Sequence, residues 1–331
     1  MEPGSTCPRC NTPVRAEYRF CPRCGLDLEC WPLWVESKGC PYHPPTLREM
    51  AGEALLSSLR PRRLDAPPSK AVYTNRQGGS LVGYWTWGLF LLLGGLVVSY
   101  GWEWYTYLGF TIAGFVVPLA ILLYIYRSDR YEREPLALVV YLVGWGAFAG
   151  VLAGMVNNFF TLPFLGPWGA ALVEEPLKVA GVYLMVQRTD LREEFNNHLD
   201  GMIYGAAVAA GFAGLENFWY IYEMVSSGVA PPFLAIVLRS LSGAMHVAWT
   251  SMAARSLGLA KALKGYVEPN DILPGLILPI ALHALWNIAP TPFSLLVVLP
   301  FTLGSFNRLL RLAERDEVAW GYAWNAPKEE A

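Results

Sequence analysis

The feature that most constrains this chain is a succession of long apolar stretches. Between about Leu81 and Phe306 there are eight, at roughly 82–100, 107–126, 135–156, 167–187, 199–221, 232–254, 272–289 and 292–310. Each is near the ~20 residues that an α-helix needs to cross the hydrocarbon of a bilayer. Lipid offers no hydrogen bonds to an open backbone, so such stretches must be helical. The composition agrees, with 54% hydrophobic and 16% charged residues, against about a quarter charged in a soluble domain. The expected fold is an all-α polytopic membrane protein of about eight transmembrane helices over residues 81–312, with a short cytoplasmic tail at 313–331. A net charge of −2 gives no electrostatic footing for nucleic acid, and no such partner is expected. The first apolar stretch is full-length and far from Met1, so no cleavable signal peptide is expected.

The first eighty residues are of another kind. They hold all six cysteines and eleven of the 25 Lys and Arg. Cys7, Cys10, Cys21 and Cys24 form two Cys-x-x-Cys knuckles, a spacing that suits a closed tetrahedral Zn site. A segment this short (1–30) builds no core, so the metal would supply most of its folding free energy, in a structural and not a catalytic role. Cys30, Cys40 and His43 do not complete a second set. In the linker region 31–80, Thr46 and Glu49 read as a capping box opening a helix to about Leu59, with Leu47, Met50, Ala54 and Leu55 on one side. A basic, Pro-containing stretch, Arg60 to Lys70, follows and suits contact with anionic headgroups.

Loop charge sets the orientation. Alternate loops carry Arg127, Arg130 and Arg133; Arg188 and Arg192; Arg255, Lys261 and Lys264; Arg308 and Arg311. The intervening loops, near Trp102, Asn157, Ser226 and Thr291, have no Lys or Arg. By the positive-inside rule both termini are cytoplasmic, which places the cysteine knuckles in a reducing compartment, where disulfides are disfavoured. Trp102, Trp104, Tyr105 and Tyr107 would mark the outer interface. Glycines at four-residue spacing (Gly146, Gly150, Gly154 and Gly201, Gly205, then Ala209) are expected to let helices approach closely.

Against this background the ionisable groups inside the spans stand out. The fourth span has Glu174, Glu175 and Lys178; the fifth Glu216 and Asn217; the sixth Arg239 and His246; the seventh His283 and Asn287. A charge at mid-membrane costs ~3 kcal/mol on insertion scales. Exposed singly to lipid the set would cost on the order of 10 kcal/mol, comparable to the stability of an ordinary domain. Residues four apart share a helix face, which pairs Glu174 with Lys178, Phe212 with Glu216, His246 with Thr250 and His283 with Asn287. Glu174, Glu216 and His283 then lie ~8–11 Å below the outer surface at 1.5 Å per residue. His246 lies deeper unless its helix is long or tilted. Pro176 removes one helical N–H and frees the Leu172 carbonyl, which is tolerated beside water or protein. A hydrated pocket by Glu174 and Glu175 follows.

Each group alone has an ordinary explanation, as a packing ion pair or an interhelical hydrogen bond. As a set they do not: two adjacent glutamates cannot both be compensated by one lysine, and a third carboxylate and two imidazoles lie at similar depth. Glutamates and histidines of this kind can bind a divalent metal and activate water. They can equally line a proton or cation path in a transporter, although no internal repeat stands out.

The motifs resemble those of the PrsW family of intramembrane proteases, within the wider type II CAAX-protease-like superfamily. "EEPLK" (Glu174, Glu175, Lys178) resembles its Glu-Glu-x-x-Lys motif, and Phe212 to Glu216 its Phe-x-x-x-Glu motif. "HVAWT" at His246 and "HALWN" at His283 resemble its two histidine motifs. The likeness covers roughly 135–290. Glu216 stands where the prenyl-protein proteases of the superfamily carry His, and Lys178 where they carry Arg. The resemblance implies site-one cleavage of a membrane-anchored protein, such as an anti-sigma factor, by a glutamate-dependent metal centre. Catalytic roles are then expected of Glu174, Glu175, Lys178, Glu216, His246, His283 and Asn287. Glu174 or Glu175 would be the base. Glu216, His246 and His283 would hold the water, through Zn or another divalent metal if one is present. Asn287 or Asn217 would donate to the oxyanion. The expected partners are the substrate, the lipid bilayer and a cytoplasmic protein on the zinc ribbon. The same plan also occurs in non-catalytic scaffold subunits.

Overall fold

The computed structural model describes residues 106–129, 133–187, 195–264 and 267–319, with Thr6, Arg48, Ala51, Gly52, Leu55 and Leu56 besides. The knuckle cysteines Cys7, Cys10, Cys21 and Cys24, the stretch 82–100, and Trp102, Trp104 and Tyr105 lie outside the described residues. Arg48, Ala51, Gly52, Leu55 and Leu56 are helical, within the helix expected there.

Every regular element of the membrane domain among the described residues is a helix. The main ones are α1 (Thr106–Ser128), α2 (Leu136–Val156), α3 (Ala170–Gln187), α4 (His198–Ser226), α5 (Pro232–Lys264), α6 (Ile272–Ile288) and α7 (Leu299–Ala319). Among the described residues five helices are long and apolar enough to cross a membrane: Thr106–Ser128, Leu136–Leu165, Pro232–Ala262, Pro269–Ile288 and Thr291–Glu317. The protein is thus a multi-pass membrane protein. The stretches read as fourth and fifth spans are helical, as α3 and α4, but are not among those five, and the first expected span, 82–100, lies outside the described residues. α3 carries three charges in its middle. α4 is rich in Gly and Ala and is buried without interruption from His198 to Gly214.

α4 is the axis of the bundle. It packs against α5 most extensively, then α1 and α2, while α3 bridges α2 and α6. Its start is fixed by sequence. The Asn197 side chain accepts from the backbone N–H of Leu199 (2.6 Å) and Asp200 (3.2 Å), and Asp200 accepts from the Asn197 N–H (3.0 Å), a reciprocal cap. Close approach relies on glycine at defined points. A Cβ on Gly146 would lie 1.8 Å from the Val208 carbonyl oxygen, and one on Gly205 2.7 Å from that of Thr250. The expected packing role holds for Gly146, Gly201 and Gly205. Gly150 has ordinary contact with Phe212, and at Gly154 a Cβ would meet nothing within 4 Å.

Two helices outrun the sequence expectation. α5 has 33 residues, so Arg255 and Lys261, read as loop cations, lie on it and are buried. α7 continues to Ala319, into the expected tail, and Asp316 lies 3.5 Å from His198. α3 continues through Pro176 and is held to α2 by Trp145, whose indole N–H donates to the Leu177 carbonyl at 3.3 Å.

Candidate active site

α3 delivers three ionisable groups within one turn, and its rotation decides their surroundings. Successive helical residues are turned by about 100°, so the adjacent glutamates face different neighbours. Glu175 points into the bundle and is 0% exposed. Its Oε1 lies 2.8 Å from Lys178 Nζ and 2.9 Å from His283 Nδ1, and its Oε2 accepts from Thr250 Oγ1 at 3.2 Å. Glu174 turns toward α2. Its Oε1 accepts from Asn157 Nδ2 at 2.9 Å. Its Oε2 is buried with no hydrogen-bond partner among the described residues, 3.5 Å from Lys178 Nζ and 3.8 Å from His283 Nε2.

The partners fix the histidine tautomers. Lys178 Nζ is 2.8 Å from His246 Nδ1. An ammonium only donates, so Nδ1 accepts and the ring proton sits on Nε2, 2.8 Å from Glu216 Oε2. His283 is the reverse: Nδ1–H donates to the Glu175 carboxylate and Nε2 keeps its lone pair. The two imidazoles meet edge to face, with centroids 4.9 Å apart at 86°. Trp249 stacks on His283 at 4.6 Å and 15° and is held by its indole N–H donating to Thr302 Oγ1. His246 touches both Glu216 and His283, so it stands level with them and not deeper.

Phe212 and Glu216, one turn apart on α4, have separate tasks. The Phe212 ring lies 4.0 Å from Lys178 Nζ, a cation–π contact that shields the ammonium. Glu216 is 21% exposed and lies 3.3 Å from Arg239 Nη2. Arg239 stacks over Tyr220 and donates to Asn217 Oδ1 at 3.0 Å. Asn217 in turn donates to the Gly114 carbonyl. Asn217 is therefore fully engaged in holding α1, α4 and α5 together.

These groups border a cavity of about 300 Å³ whose walls include Gly150, Gly154, Asn157, Asn158, Pro167, Glu174, Phe212, Glu216, Tyr220 and Asn287. Glu174 and Glu216 reach it; Glu175 does not line it. Asn287 stands at its rim and donates one N–H to the Pro167 carbonyl at 3.1 Å. One ligand atom each of Glu174, His246 and His283 lie within 4.8 Å of one another. The sequence reading grouped Glu216 with the imidazoles; the geometry groups Glu174 with them. That donor set suits a divalent cation. Among the described residues three carboxylates here meet two fixed cations, Lys178 and Arg239, and Glu174 Oε2 has no hydrogen-bond donor, so the site has a place for added positive charge.

Sequence reasoning left Asn157 and Trp249 outside the site. Asn157 had a signal, as a polar residue ending an otherwise apolar span. Trp249 had none, because tryptophans are common in such helices.

Comparison with known proteins agrees with the motifs. A family described as PrsW family intramembrane metalloprotease matches residues 134–306, just over half of the chain. A zinc-ribbon domain matches residues 6–28, which contain the four knuckle cysteines. Protease PrsW of Oceanobacillus iheyensis is 29% identical over 198 residues, covering 57% of this chain and 87% of that protein. Protease PrsW of Geobacillus kaustophilus is 32% identical over 186 residues, 53% and 76%. The Bacillus subtilis protein of that name is 27% identical over 205 residues, 57% and 87%. No solved structure matches the chain. All four motif groups fall inside the matched region and contact one another in one cluster, so the chain belongs to the PrsW family of intramembrane proteases.

Proposed function

We propose that the protein is an endopeptidase that hydrolyses a peptide bond of a membrane-anchored protein in the outer half of the bilayer, with both of its own termini cytoplasmic. A membrane-bound anti-sigma factor cleaved at site one is the substrate that fits the family. The convergence of Glu174, Lys178, Glu216, His246 and His283 in one cluster, two of whose carboxylates, Glu174 and Glu216, line a cavity, carries this reading. Zn in the N-terminal ribbon, held by Cys7, Cys10, Cys21 and Cys24, is structural and presents a surface to a cytoplasmic partner.

Glu174 and His283 Nε2 would hold a divalent metal, and His246 would join them through Nε2 when its ring proton is on Nδ1 instead. When bound, such an ion acidifies water and polarises a carbonyl. Everything else falls to side chains of this chain. Glu216, the second carboxylate on the cavity, is the general base and lies 3.3 Å from Arg239. It takes a proton from the attacking water as the new C–O bond forms and returns one to the amide nitrogen as the C–N bond breaks, leaving a carboxylate and an amine. The N–H of Asn287 not bound to Pro167 donates to the oxyanion. Glu175 acts behind His283 by holding its Nδ1–H. Lys178 pairs closely with Glu175 at 2.8 Å, lies 3.5 Å from Glu174, and faces His246 Nδ1 at 2.8 Å.

The test is cleavage of single-span reporter proteins by the full chain in liposomes, with metal counted per chain. Glu216→Gln and His283→Ala are expected to abolish cleavage, and His283→Ala to remove one metal that Cys7→Ser does not. Unimpaired cleavage by both site variants would overturn the reading. Ion flux without cleavage would put a transporter in its place, and a purely structural effect of Glu216→Gln a scaffold.

A further inference from the structure

Asn157 is nine-tenths buried at the cavity wall, yet only one end of its carboxamide is used. A carboxylate accepts and does not donate, so Glu174 takes the NH2 end, at 2.9 Å. That fixes the amide and leaves Oδ1 buried with no hydrogen-bond partner among the described residues. A buried acceptor of this kind calls for a donor. One turn earlier on the same face of α2, Gly154 also lines the cavity, and a Cβ there would meet nothing within 4 Å. Gly150, a further turn back, leaves only ordinary contact with Phe212. Packing therefore does not explain Gly154, whereas it does explain Gly146 on the same helix. The π-helical turn Asn157–Thr161 that follows α2 places Asn157 opposite Glu174.

We infer that the edge of α2 formed by Gly150, Gly154 and Asn157 binds the substrate main chain, with Asn157 Oδ1 accepting a peptide N–H and the space over Gly154 receiving one side chain next to the scissile bond. This deepens the protease reading and rests on it. A helical segment keeps its N–H groups for itself, so the chain that docks here is locally unwound and extended. Gly154 then sets the largest side chain accepted at that subsite.

The test uses the full protein in liposomes and a library of single-span peptides randomised over the outer juxtamembrane residues, with cleavage sites read by mass spectrometry. Gly154→Ala is expected to cut turnover of peptides with a large residue at one subsite at least tenfold and to spare those with Gly or Ala there. Gly154→Leu confines cleavage to small residues at that subsite. Gly144→Leu, equally open but away from the cavity, leaves the profile unchanged. N-methylation of one peptide nitrogen next to the scissile bond should slow the wild type and have no further effect on Asn157→Ala. The same subsite profile in wild type and Gly154→Leu overturns the inference while leaving the protease reading intact. A photo-crosslinking residue at 154, compared with one at 144, supplies a readout free of catalysis. Capture at 154 alone without any cleavage keeps the docking edge and overturns the protease; no preference for 154 overturns the docking edge.

Discussion

Glu175 Oε1 lies 2.9 Å from His283 Nδ1, and this single contact decides that it is Nε2 of the imidazole that faces Glu174. A carboxylate behind a histidine fixes both its tautomer and its orientation. Glu175→Gln should therefore lower kcat by about 10–100-fold, with the cleavage site unchanged. Rates on a reporter protein in liposomes check this, and a loss below about twofold would remove Glu175 from the site's support.

Lys178 is the only fixed cation within reach of Glu174 and Glu175 among the described residues. Removing one member of a buried pair strands the other, at about 3–5 kcal/mol. Lys178→Met should lower the thermal midpoint in detergent sharply. Lys178→Met with Glu175→Gln should recover much of that stability, because no lone carboxylate then remains at 175, and should not recover cleavage. Equal destabilisation of the single and double variants would count against the pairing.

The glycines of α2 separate packing from space. Gly146→Ala drives a methyl into the Val208 carbonyl and should cost about 1–3 kcal/mol, whereas Gly154→Ala should leave unfolding in detergent unchanged. Similar melting of the two variants would refute the distinction. Both glycines belong to one four-residue repeat, and the sequence cannot tell them apart.

Glu134, in the segment before α2, gives a pH dependence distinct from the active site. Burial first, then the carboxylates of Asp200 and Asp129, hold its carboxyl well above the usual carboxylate range. Tyr204 donates its hydroxyl to it. With the folded pKa above the unfolded one, its contribution is full below the ordinary carboxylate pKa of 4.5 and is lost as pH rises through the folded value. Stability should fall with rising pH over that interval, and Glu134→Gln should flatten the fall. Melting curves across pH read this directly, and an unchanged slope in the variant would exclude Glu134 as its source.

The sequence by itself determined that the chain is helical and membrane-embedded, and which ionisable residues had to be brought together. Apolar length against the bilayer dictates the first, and the cost of stranding Glu174, Glu175, Glu216, His246 and His283 in lipid dictates the second. Helical spacing also put Phe212 beside Glu216 and Glu174 beside Lys178. Tertiary structure decided the rest. It placed Glu174 on the cavity and Glu175 behind His283, gave the two histidines opposite tautomers, recruited Asn157, and left Gly154 open where Gly146 is closed. These depend on how far each helix is rotated about its axis and where its neighbours cross it. The contacts that fix both join residues such as Glu175 and His283, 108 positions apart, beyond the reach of any local pattern.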